Sequence, residues 1–101
     1  MGYPAMYYVI PEHQMYLSDD RTELVFDQHL PQVRKEDLNI EVLEKSICLD
    51  FKVEGKPRMA RCFSLPYDVD PSTAEGDFND GVLTVRAKLR TSPFPGKKLA
   101  L

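Results

Sequence analysis

A chain of 101 residues, 43% hydrophobic and 29% charged, has room for one domain with one core and is too apolar to stay disordered. Thirteen basic against sixteen acidic residues leave a net charge of -3, which excludes the positive excess needed to neutralise phosphate or anionic lipid. Neither nucleic acid nor a membrane is therefore expected as a partner, and no cofactor motif is present.

The chain opens on an apolar, aromatic stretch that no charge interrupts: Tyr3, Met6, Tyr7, Tyr8, Val9 and Ile10. It is far shorter than the ~20 residues of a membrane span and lacks the basic start of a signal peptide, so a cytoplasmic location is expected. Such a stretch suits either a surface that captures other chains or an extra edge strand packed on its own domain. Residues 1–13 are read as a short arm, 14–90 as the folded domain and 91–101 as a flexible tail.

From residue 22 the apolar positions recur with period two, the mark of half-buried strands. Residues 22–28 form the first clear strand and end at Pro31. A single helical turn is the most that residues 34–37 offer. Residues 37–43 place Leu38, Ile40 and Val42 on one face, and residues 46–53 place Ile47, Leu49, Phe51 and Val53 on one face. After Gly55-Lys56-Pro57, residues 58–65 follow with Met59, Phe63 and Leu65. A three-residue loop predicts Val53 opposite Met59, Leu49 opposite Phe63 and Arg61 opposite Phe51. Residues 74–78 and 82–88 flank Asn79-Asp80-Gly81, a strong hairpin signal. About seven short strands predict an all-β, two-sheet sandwich.

Two cysteines make no disulfide framework or four-ligand zinc site, so Cys48 and Cys62, expected as diagonal neighbours on one outer face, near but not ideal for a bridge, are read as reduced structural thiols, with a redox switch as the other reading. His13 and His29 lack a second ligand type at a metal-binding spacing and are expected to be solvated or hydrogen-bonded. Asp68 and Asp70 fit turn chemistry better than a calcium loop. No phosphate loop and no nucleophile with a neighbouring base is found, so no enzyme is expected.

Four strings resemble the α-crystallin domain of the small heat-shock proteins. His29-Leu30-Pro31-Gln32-Val33 with Lys35-Glu36-Asp37-Leu38 is similar to that family's L-P-G-V and K-E-D-I segment, Gln32 standing where glycine is usual. Arg61-Cys62-Phe63-Ser64-Leu65-Pro66 is similar to R-x-F-x-L-P, Asp68-Val69-Asp70-Pro71 to the loop after it, and Gly81-Val82-Leu83-Thr84-Val85 to G-V-L-T-V. The resemblance spans about residues 14–89. It implies an immunoglobulin-like sandwich of seven to nine strands, ATP-independent binding of unfolding clients, and homo-oligomers built through the chain ends.

Two departures bear on assembly. The short arm argues against large cages, and the tight turn after Val53 argues against the strand-swapped dimers of bacterial and plant members. Arg61 matches an arginine that the family places at its dimer interface; an edge charge that blocks unwanted pairing is the other reading. Leu99 and Leu101 resemble the family's I-x-I motif, which adds as a strand to a neighbour's groove. Here that groove would lie between residues 37–43 and 74–78 and be lined by Ile40, Val42 and Phe78; an unstructured end is the alternative. The partners expected are unfolding proteins or, in a second reading, one dedicated protein partner.

Overall fold

The computed structural model describes residues 11–101; the arm positions Tyr3, Met6, Tyr7, Tyr8, Val9 and Ile10 lie outside the described residues. The strands are β1 (Gln14–Leu17), β2 (Glu23–His29), β3 (Val33–Val42), β4 (Ser46–Val53), β5 (Met59–Ser64), β6 (Glu75–Asn79) and β7 (Val82–Lys88), with one 3-10 turn at Pro71–Thr73. They form two antiparallel sheets, β1-β2-β7-β6 and β3-β4-β5. The predicted all-β sandwich is the fold observed.

Alternation explains the layers. On β4 the inward residues Ile47, Leu49, Phe51 and Val53 are all buried, and on β7 the same holds for Leu83, Val85 and Ala87. With Phe26, Leu30, Val33 and Phe63 they make the main core, and Leu24, Val69 and Ala87 close one end. Phe26 of β2 meets Phe63 of β5 across the layers, ring centroids 5.0 Å apart. The β2 side of one sheet therefore faces the β5 side of the other, which leaves β6 facing β3.

The turn between β6 and β7 is carried by Asp80 and Gly81, both at positive φ (52° and 77°), the conformation that lets a two-residue hairpin follow the twist of its strands. At the opposite end Asp70 caps the 3-10 turn. It accepts hydrogen bonds from the Ser72 hydroxyl at 2.7 Å and the Ser72 N–H at 3.1 Å. Asp68 instead pairs with Lys45 at 2.9 Å. Turn chemistry accounts for Asp70, and an ion pair for Asp68.

Three expectations are corrected. Residues 34–37 form no helical turn: β3 runs through them, and its ladder with β4 slips between Val33 and Leu38. The extra residues are mostly exposed, and there Arg34 pairs with Asp37 at 3.1 Å. The register of β4 with β5 is shifted by two from the one predicted: Phe51 lies opposite Met59, Leu49 opposite Arg61 and Ile47 opposite Phe63. The loop is wider than three residues: the β4–β5 ladder ends at Phe51 and Met59, while Val53 pairs on its other edge with Val33 of β3. Gly55 at φ 80° and the Lys56 N–H bond to the Val53 carbonyl, 3.0 Å, shape the turn, and Arg58 folds back onto Asp50.

The shifted register has a covalent consequence. Cys48 and Cys62 are directly opposite, not diagonal, and they form a disulfide with an S–S distance of 2.08 Å across a sequence separation of 14. The reading of two reduced thiols is thereby overturned.

Candidate binding groove between the sheet edges

β3 and β6 are the outer strands of their sheets, and each offers an unpaired backbone ladder on the same side of the sandwich. Leu38, Ile40 and Val42 point inward from β3, opposite Phe51, Leu49 and Ile47 of β4. From β6, Gly76 and Phe78 point inward, opposite Val85 and Leu83 of β7. Leu38, Val42 and Phe78 pack on the main core, and Val42 and Ala74 pack on the Leu24–Val69–Ala87 end. Ile40 belongs to neither cluster and is 39% exposed although its strand position faces inward. The two edge strands therefore carry an apolar inward face, interrupted by Gly76 where there is no side chain, with the large aliphatic side chain of Ile40 left partly in solvent.

The rim is acidic. Glu41 of β3 and Glu75 and Asp77 of β6 alternate outward beside the inward set and are exposed. Asp77 accepts from the Asn79 amide at 2.7 Å, and Asn39 donates to Asp50 at 3.0 Å, so the rim side chains are held in place.

Ile40, Val42 and Phe78 are thus on the inward registers of the two edge strands β3 and β6. Leu99 and Leu101 are exposed and lie in no strand. Arg61 is on the inward register of β5 but exposed at that strand's free edge, its guanidinium 4.9 Å from the centroid of the Phe63 ring. His13 is not solvated as expected. It is half-buried between Phe26 (5.6 Å) and Phe63 (4.6 Å), plugging the side of the sandwich opposite the groove. Gln28 fixes that plug: its buried amide donates to the carbonyls of Pro11 at 2.7 Å and His29 at 3.0 Å. His29 itself is exposed beside the β6–β7 turn. Among the described residues no three His, Cys, Asp or Glu side chains gather as metal ligands, and no helix is long and apolar enough to cross a membrane.

Leu38 shares the inward face of Ile40 and Val42, as alternation predicted. Other features escaped sequence reasoning. The tail meets the domain at Phe94, whose ring stacks edge-on to Tyr67 at 6.4 Å with the Arg21 guanidinium 5.9 Å away, and no local pattern announces that contact. On the outer face of the four-stranded sheet Asp27 accepts from the hydroxyls of Tyr16 (2.8 Å) and Thr84 (2.9 Å). The hydrogen bond to Asp27 holds the Tyr16 phenol above its ordinary pKa.

The model of the Hsp20/alpha crystallin family matches residues 16–99, from β1 into the tail. The chain belongs to that family. No curated protein matches it. Among solved structures, heat shock protein 16.0 from Schizosaccharomyces pombe superposes with a TM-score of 0.69 at 19% identity, covering 93% of this chain and 99% of that one. The Del-C4 mutant of hsp14.1 from Sulfolobus solfatataricus P2 gives 0.68 at 22%, covering 82% and 78%. A nuclear movement protein from E. cuniculi GB-M1 gives 0.58 at 16%, covering 89% and 100%. At these identities the likeness is one of fold, and it places this member of the family on the small heat-shock sandwich.

Proposed function

We propose that this α-crystallin-type chain is an ATP-independent holdase that binds unfolding proteins and keeps them from aggregating. The observation that carries the reading is Ile40, an inward-facing isoleucine left 39% exposed between two unpaired strand edges. An extended segment laid there gains ladder hydrogen bonds from an edge and buries its alternate apolar side chains, which makes recognition indifferent to exact sequence. Ile40, Val42 and Phe78 line the groove, and the arm residues 3–10 add a second apolar surface for capture.

Leu99 and Leu101 of a second copy are the groove's resting occupant in a homo-oligomer. Residues i and i+2 of an extended tail point the same way, and Lys97 and Lys98 beside them complement the acidic rim of Glu41, Glu75 and Asp77. Burying two leucines is worth about 3–6 kcal/mol before the cost of ordering the tail, which suits a reversible latch. Arg61, at the free edge of β5, sits where a neighbouring subunit would meet it.

The test is light scattering of several unrelated heat-stressed clients with stoichiometric amounts of the chain and no nucleotide. Suppression is expected, and deletion of residues 1–10 should weaken it while the sandwich stays folded. Unchanged aggregation of every client would transfer the chain to a second reading, an interaction module for one dedicated partner.

A further inference from the structure

We propose that the Cys48–Cys62 bridge is a thiol–disulfide exchange site for a dithiol reductant and that its opening releases β5 from the sandwich. The bridge lies on the outer face of the three-stranded sheet, where the register alternates it with Ser46 and Ser64 on one side and Asp50 and Ala60 on the other. Cys62 is exposed and Cys48 half-buried. The same-face neighbours of Cys62 along β5 are Ala60 and Ser64, too small to cover it.

Exchange needs the attacking sulfur in line with the bond it breaks. Attack on Cys62 comes from the free side of β5, where no strand follows. Attack on Cys48 would have to come over β3, where Glu41 is its register partner and repels a thiolate. A thiolate of the reductant therefore bonds to the Cys62 sulfur, and Cys48 leaves as a thiolate and takes a proton. The reductant's second thiolate then attacks its own sulfur in the mixed disulfide and expels Cys62. The protein gains two electrons and two protons, and the reductant becomes a disulfide.

β5 is the element this chemistry addresses, because among the described residues its only strand partner is β4. Its inward face carries Phe63, 5% exposed and packed on Phe26 and His13. With the bridge open, β5 is held by its ladder to β4 and by the packing of Phe63 and Met59 on the core, and its departure would uncover the Phe26 side of the core. The site stands independently of holdase activity, since its test reads this chain alone.

The disulfide form of the full chain is treated with dithiothreitol under native conditions, and free thiols are counted by alkylation and mass. Reduction within about tenfold of the rate in denaturant is expected; reduction in denaturant only would overturn the site. Backbone hydrogen exchange is then compared between the two forms. The ratio of β5 exchange to β2 and β7 exchange should rise at least about tenfold on reduction. A common acceleration of all strands, or an unchanged β5, would show that the bridge does not control β5 docking. With oxidised glutathione, the Cys48→Ser variant should form its mixed disulfide at Cys62 at least about tenfold faster than Cys62→Ser forms one at Cys48. Equal rates would overturn the assignment of Cys62 as the attacked sulfur. Should neither variant fold, the unmodified chain decides the matter through the first two measurements.

Discussion

Gln32 stands at φ 67°, the left-handed region where a side chain clashes with its own backbone and glycine does not. Its string in the sequence resembles one in which glycine is usual, so the strain was legible there before any geometry. Gln32→Gly should stabilise the fold by about 0.5–1 kcal/mol, read as a higher denaturant midpoint at unchanged slope. Gly81 is the converse case. It lies at φ 77°, and an added Cβ would sit 3.3 Å from the His29 ring nitrogen, so Gly81→Ala should cost about 1–2 kcal/mol in the same measurement. The Asn79-Asp80-Gly81 turn was readable because local chemistry alone dictates it. Acid sensitivity also belongs at this scale. The Ser72 hydroxyl and N–H hold the Asp70 carboxyl below its ordinary pKa, and the Ser18 and Thr22 hydroxyls with the Thr22 N–H do the same for Asp20. Each group's contribution is complete above its unfolded value, about 3.9, and is lost as pH falls through its lower folded value. In Asp70→Asn the loss of stability between about pH 5 and pH 2 should be smaller than in the parent chain, as thermal midpoints across that range would reveal.

Strands were the most legible elements and their pairing the least, for a physical reason. Period-two alternation fixes which side chains face the core, and a slip of one residue would be caught at once. A slip of two keeps every face intact, so alternation could not choose between Phe63 opposite Leu49 and Phe63 opposite Ile47. The observed register, with Phe63 opposite Ile47, goes with a wider turn around Gly55, and alternation carries no information on the width of that turn. The inward registers of Ile40, Val42 and Phe78 followed from alternation, whereas the 39% exposure of Ile40 depends on how the two sheets pack. Phe63→Ala should cost about 3–5 kcal/mol, since its ring joins the sheets through Phe26 and His13. Ile40→Ser should stay within about 1 kcal/mol of the parent because the side chain is already partly in water. The same Ile40→Ser variant should lose affinity for a peptide of residues 96–101, measured by calorimetry, together with client suppression; unchanged binding would remove the groove from the chaperone reading.

The molecule as a whole rests on one core and one covalent bond. The sequence could announce the core through composition and alternation, but it could not announce the bond, because two cysteines 14 positions apart say nothing until a register brings them opposite. Closing a loop of about 15 residues is worth about 3 kcal/mol, so reduction should lower the melting temperature of this domain by about 10–20 °C in calorimetry. The tail contributes differently. With Phe94 seated against Tyr67 and Arg21, only five residues lead to Leu99, a leash of at most about 18 Å. Cut loose from that seat, the same leucines would swing from Leu89 on about twice the length. A short leash raises the effective concentration of the two leucines at any site within its arc and reduces it to nothing beyond, so one aromatic contact sets the spacing at which a neighbouring copy can be held.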